Sequence, residues 1–142
     1  MKTTLIDGFT HHHRHLDEAF LVAHRAVNSA DWDHAQGAFQ IFRDAIEKHM
    51  TTEETYLFPT YEQHHGVDNA LTGILRKGHR DLRSFFEEIG ETIAAHDADE
   101  SSALMDTVTQ ILGHHDQKEE TEFYPAVAPL ISHPEAITAL LV

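Results

Sequence analysis

The sequence predicts an all-α protein, an up-down-up-down antiparallel four-helix bundle with a short C-terminal helix. Three observations carry that reading. Apolar residues recur every three or four positions along four long stretches, no alternating run is long enough for a strand, and polar turn-forming segments separate the stretches. The 142 residues, 41% of them hydrophobic, suffice for one core, so residues 1–142 read as a single domain.

In the first helix Leu16, Phe20, Ala23 and Val27 form one face, and NSADWD (Asn28 to Asp33) supplies the turn and the next N-cap. The second helix carries Ala38, Ile41, Phe42, Ala45 and Ile46 and slackens over EQHHGVDN (Glu62 to Asn69). The third carries Leu71, Leu75, Leu82, Phe86, Ile89 and Ile93 and ends around Asp97. The fourth carries Leu104, Val108, Ile111 and Leu112. In the final stretch, SHPEAITALLV, Ser132 and Glu135 have capping-box spacing, with Pro134 in the first turn.

Composition excludes several functions. A formal charge of −14 argues against nucleic-acid phosphates and anionic membrane surfaces as partners. The absence of cysteine rules out disulfides, a thiolate nucleophile and Cys-based metal sites. No stretch reads as a signal peptide or a transmembrane helix, so the expected location is cytoplasmic. The unusual abundance is histidine, with 14 copies.

KHMTTEETYLFP (Lys48 to Pro59) is echoed by HHDQKEETEFYP (His114 to Pro125), and the same 66-residue shift lays HRHLDEAF (His13 to Phe20) on HRDLRSFF (His79 to Phe86). One helix–turn–helix unit therefore occurs twice. Residues equidistant from a hairpin turn lie at one height. The midpoints of His13/His49, His49/His79 and His79/His115 are Asp31, His64 and Asp97, each inside an expected turn. Hairpin arms of roughly 15 to 18 residues, about 22 to 27 Å long at 1.5 Å per residue, then carry all four histidines to one level. Glu53 and Glu119 follow His49 and His115 by four and so share their faces. His115 is preferred to His114, which is five residues from Glu119. Four imidazoles and two carboxylates are costly to bury unpaired, and a pair of cations is the simplest compensation. Nitrogen and oxygen donors without sulfur suit iron, manganese or zinc.

His13, HMTTEE with LFP, His79 and HDQKEE with FYP together resemble the hemerythrin-like, HHE cation-binding domain over essentially the whole chain. The resemblance implies a non-heme centre of two iron ions, Fe2+ or Fe3+, with an oxo or hydroxo bridge. It places His13 and His49 on one iron and His79 and His115 on the other, with Glu53 and Glu119 bridging. The small-molecule partner it implies is dioxygen, peroxide or nitric oxide, bound or reduced at that centre. The alternative is a non-enzymatic oxygen, iron or redox sensor, or an oxygen-binding protein, acting through a partner. Oxygen-carrying members have a fifth histidine one turn before the third-helix ligand, where this chain has Leu75; one turn after it stands Arg83, which cannot replace it.

Glu54 and Glu120 rotate about 100° from the bridging residues and are expected to hydrogen-bond ligands or contact a neighbouring helix. Tyr56 and Glu122 lie three residues past the bridging glutamates and face the same way; for Tyr56 the alternatives are donation to a bound ligand and simple packing, and for Glu122 a surface position and a place in the site. Phe20, Phe58, Phe86 and Tyr124 read as core, His24 as core or rim, and the other histidines, His12 among them, as surface. Pro59 and Pro125 are expected to end or kink their helices just past the motif.

Overall fold

Two turns of the same construction set the bundle's geometry. Helix α1 (Thr4–Asn28) passes through Ala30 into α2 (Trp32–Thr52), and α4 (Ala70–Ala94) passes through His96 into α5 (Ala98–Lys118). Ala30 and His96 both adopt positive φ, 54° and 55°. In the first turn Asp31 N–H donates to the Ala26 carbonyl at 2.9 Å and Ala30 N–H to Val27 at 3.0 Å; in the second, Asp97 donates to Thr92 and His96 to Ile93 at the same distances. These are the paired bonds of a Schellman C-terminus, built without glycine. Asp31 and Asp97 then cap the next helices, accepting from His34 and Glu100 backbone N–H groups. Trp32 stacks on His96 with ring centres 5.0 Å apart, so the two turns seal the same end of the molecule.

The computed structural model describes residues 4–142, and among these there is no strand. Helix α1 packs against α2 and α5, and α4 against α5 and α2, which makes a four-helix bundle. The core is divided. A long apolar cluster runs from Leu16, Phe42, Ile46 and Leu82 towards the paired turns, and a shorter one at the other end contains Leu5, Phe9, Leu57, Phe58, Leu75 and Phe123. Between them lies a layer of buried polar residues. The C-terminal helix α7 (Pro134–Thr138) lies on α1, so closely that a Cβ on Gly8 would come 2.7 Å from Thr138 Cγ2. Among the described residues no helix is long and apolar enough to cross a membrane.

Three local expectations need correction. Of the two outcomes expected at the prolines, an end or a kink, the first does not occur. Instead Glu53–Leu57 and Glu119–Phe123 each form one π-helical turn, which continues into α3 (Phe58–His65) and α6 (Tyr124–Val127). Phe58 N–H bonds the Glu53 carbonyl and Tyr124 N–H that of Glu119, five residues back. The proline ring would clash with the carbonyl four residues before it; the extra residue per turn removes the clash without breaking the rod. Because α3 continues, His64 is helical and the connection falls at Gly66, whose φ of 94° suits glycine. The α7 N-cap is His133, with no side-chain cap bond, so Ser132 and Glu135 make no capping box.

Candidate metal centre

The polar layer contains all six residues the spacing singles out. His13, Glu53, His79 and Glu119 are 0 to 1% exposed, His49 is 2% exposed, and the His115 side chain is 8% exposed. They fall into two groups, His13, His49, Glu53 and Glu119 in one and Glu53, His79, His115 and Glu119 in the other, with one donor atom per residue within 4.8 Å of the rest. Both carboxylates belong to both groups. Glu53 reaches His49 Nε2 with Oε2 at 3.4 Å and His79 Nε2 with Oε1 at 3.1 Å. Glu119 reaches His13 Nε2 with Oε1 at 3.2 Å and His115 Nε2 with Oε2 at 3.5 Å. Each glutamate therefore aims one oxygen at each group.

The donor set fits a pair of cations. Among the described residues, three buried side-chain atoms have no hydrogen-bond partner: Glu53 Oε1, His79 Nε2 and Glu119 Oε2. All three point into the layer, and His79 Nε2 and Glu53 Oε1 lie close without hydrogen-bond orientation. Buried polar atoms are rarely left unmatched, and lone pairs converging in this way are satisfied by metal ions.

A second ring of residues orients the imidazoles. Glu120 Oε2 lies 2.7 Å from His13 Nδ1 and Glu54 Oε2 lies 2.7 Å from His79 Nδ1. With Nδ1 protonated and donating to a carboxylate, each ring presents the Nε2 lone pair inward. Both carboxylates are held by arginine. Arg83 donates to both Glu54 oxygens at 2.7 and 3.0 Å, and Arg14 to Glu120 at 3.1 and 3.4 Å. Burial alone would raise Glu54, but the bonds to His79 and Arg83 dominate and hold it at about 2. Glu120 is likewise held at about 2, chiefly by the hydrogen bond to His13. Burial pushes the His79 imidazole down, yet Glu53 and Glu54 outweigh it and raise it to about 9 in the metal-free protein.

Four residues refine the reading: two turn away from the site, one read as core is core but also brings its hydroxyl into the layer, and one read as surface is buried. Tyr56 is 44% exposed, and Glu122 pairs with Lys118 at 3.0 Å on the surface. Tyr124 is completely buried with its hydroxyl in the layer: 2.6 Å from Glu53 Oε2, 3.1 Å from Glu119 Oε1, 3.1 Å from His13 Nε2 and 3.4 Å from His49 Nε2. One cause accounts for all three. In a regular α-helix a residue five positions on lies about 140° round the axis. The π-turn spans five residues per hydrogen bond, so Tyr124 returns over Glu119 while Tyr56 and Glu122 rotate away. The fourth is His12, which is 6% exposed, stacks on His49 and places Nδ1 2.7 Å from His49 Nδ1. Burial, then the neighbouring His49, lowers His12 to about 4, so it is neutral at ordinary pH. His24 sits at the rim, with Nε2 3.4 Å from Ser102 Oγ.

Asp116 also enters the layer, with Oδ1 3.4 Å from His13 Nε2 and its carboxyl pushed up to about 7 by burial. Its place beside His115 in the sequence gave no signal, because adjacent residues on a helix point about 100° apart. Leu75 is fully buried in the short apolar cluster with Phe58, and Arg83 is engaged with Glu54 and Glu47.

Curated proteins and solved structures give no match to this chain. The family model described as Hemerythrin HHE cation binding domain matches residues 4–127. That span contains both copies of the repeat and every residue of the layer. The chain belongs to the hemerythrin HHE cation-binding family.

Proposed function

We propose that this protein holds two iron ions and binds or reduces a small oxidant, dioxygen, peroxide or nitric oxide, between them. His13 and His49 hold one iron, His79 and His115 the other, and Glu53 and Glu119 bridge the pair. The supporting observation is the sharing of both carboxylates by two four-residue groups. Bound iron supplies redox electrons and coordination positions that the protein does not fill.

The chain's own residues do the rest. Glu54 and Glu120 fix the tautomers of His79 and His13 and add negative charge next to the cations. Arg83 and Arg14 keep those carboxylates ionised and in place. The short apolar cluster, with Phe9 against His49 at 5.3 Å and Phe58 against His79 at 5.2 Å, limits water at the layer. The oxidant reaches a site whose polar atoms are already oriented.

Anaerobic loading with ferrous iron should give two irons per chain, and His49→Ala or His115→Ala should lower that content. Air, followed by its removal, should then give either a reversible optical change, the mark of binding, or irreversible oxidation, the mark of reduction. Iron content far below two per chain, or content unchanged in both variants, would sink the reading.

A further inference from the structure

We infer that Tyr124 is a fifth protein donor to the metal held by His13 and His49, so that the small ligand's open position lies at the metal held by His79 and His115. This rests on the two-metal reading and assigns the two metals different roles.

The phenol oxygen lies 2.6 to 3.4 Å from an atom of every member of the first group, Glu53, Glu119, His13 and His49. A metal bound by that group at about 2.0 to 2.2 Å from each donor occupies the space this oxygen borders. The hydroxyl carries one proton and faces two carboxylate oxygens, so one of the two contacts has no hydrogen in it. A cation among the oxygens resolves that conflict.

The ring has no room to withdraw. It is fully buried, with Phe9 at 5.3 Å, His13 at 5.7 Å and Phe123 at 6.0 Å between ring centres. The π-turn also anchors its backbone over Glu119. On the other side the equivalent residue is Phe58, whose ring packs 5.2 Å from His79 and offers no donor. Leu75, one turn before His79, is fully buried and also offers none. The second metal therefore has one protein donor fewer. When Tyr124 binds, its O–H bond breaks, the proton leaves to solvent and an oxygen–metal bond forms, with no change of oxidation state.

The test is ferric loading followed by metal analysis, visible absorption and resonance Raman spectroscopy. The expected result is two irons per chain with tyrosinate ring modes enhanced under a phenolate-to-iron charge-transfer band. Tyr124→Phe, which restores the residue type found at position 58, should keep two irons and lose both signals. Azide added to the wild-type ferric protein should leave the tyrosinate modes in place. Two irons without tyrosinate modes would overturn the role of Tyr124 while leaving the di-iron reading intact. Modes that persist in the variant would also overturn it, since they would belong to Tyr56 or Tyr61. Loss of the modes on adding azide would overturn the placement of the open position, and fewer than two irons in the wild type would overturn both readings.

Discussion

The 66-residue shift carries His13, His49, Glu53 and Glu54 onto His79, His115, Glu119 and Glu120, but it carries His12 onto Gly78, Met50 onto Asp116 and Phe58 onto Tyr124. The first set forms the donor layer and the carboxylates that orient it. The second set surrounds the layer, and there the halves diverge. His49 has a neutral histidine on its outer nitrogen, whereas His115 Nδ1 faces Gly78 so closely that a Cβ would approach to 2.6 Å. The first four-residue group is bordered by a phenol and a third carboxylate, Asp116; the second is bordered by Phe58 and Leu75. The repeat supplies the six candidate donors, and the positions at which its two copies differ make the two groups chemically different.

The comparison breaks first at the residues both halves share. Glu53→Ala and Glu119→Ala each remove a donor from both groups, so each should cost both metals, with affinity reduced more than about 100-fold, beyond the range typical of an outer-shell change. Metal analysis after loading checks this. Loss of only one metal from either variant would show that the carboxylates do not bridge.

In the metal-free protein a change of pH acts in opposite senses on His79 and His12. His79 is raised from 6.5 to about 9 by its carboxylates, so it binds its proton more tightly folded than unfolded. Its contribution to stability is fully present below about 6.5 and is lost as pH rises through about 9. His12 has the opposite sign: lowered to about 4, it costs stability as pH falls from 6.5 towards 4. Thermal unfolding of metal-free protein against pH should decline on both flanks, and His12→Asn should reduce the loss between about 6.5 and 4 while leaving the alkaline decline in place.

Gly78→Ala and His12→Ala probe the outer faces of His115 and His49. The new methyl must displace the His115 ring, so affinity at the second position should fall by roughly 10- to 100-fold despite the helix propensity gained, about 1 kcal/mol. His12→Ala leaves His49 Nδ1 without its partner and should weaken the first position by about 10-fold. Stepwise metal titration separates the two. Equal effects on both steps from either variant would contradict the division.

The smallest difference lies in the arginines. Arg83 is 33% exposed and spans Glu54 and Glu47, while Arg14 is 60% exposed and holds Glu120 alone. Arg83→Ala should cost about 1 kcal/mol and Arg14→Ala less than about 0.5 kcal/mol in thermal or urea unfolding. A larger loss from Arg14→Ala would reverse the ranking.

How much was legible follows from what fixes each residue. His13, His49, Glu53, His79, His115 and Glu119 were readable because regular helices and repeated turns convert sequence spacing into height and facing. Glu54 and Glu120 were readable as hydrogen-bond partners from their 100° offset. The hydroxyl of Tyr124 was not read into the layer, and Tyr56 was read as sharing the face of Glu53, because the count assumed regular α-helical turns between each bridging glutamate and the proline that follows. His12 was read as surface because a histidine beside a ligand points away from its neighbour; it is buried only because α2 brings His49 under it.

The sequence by itself determined the bundle, the repeat and the six residues that meet in one buried layer, since these depend on periods and offsets that any helical hairpin obeys. Only the tertiary structure decided which aromatic ring enters the layer and what touches each imidazole from outside. Those features follow from two π-turns that shift the helix face past the prolines, and from side chains that meet across helices distant in sequence. Neither leaves a mark in the period of one strand of sequence, because each is set by a clash relieved or a contact made in three dimensions.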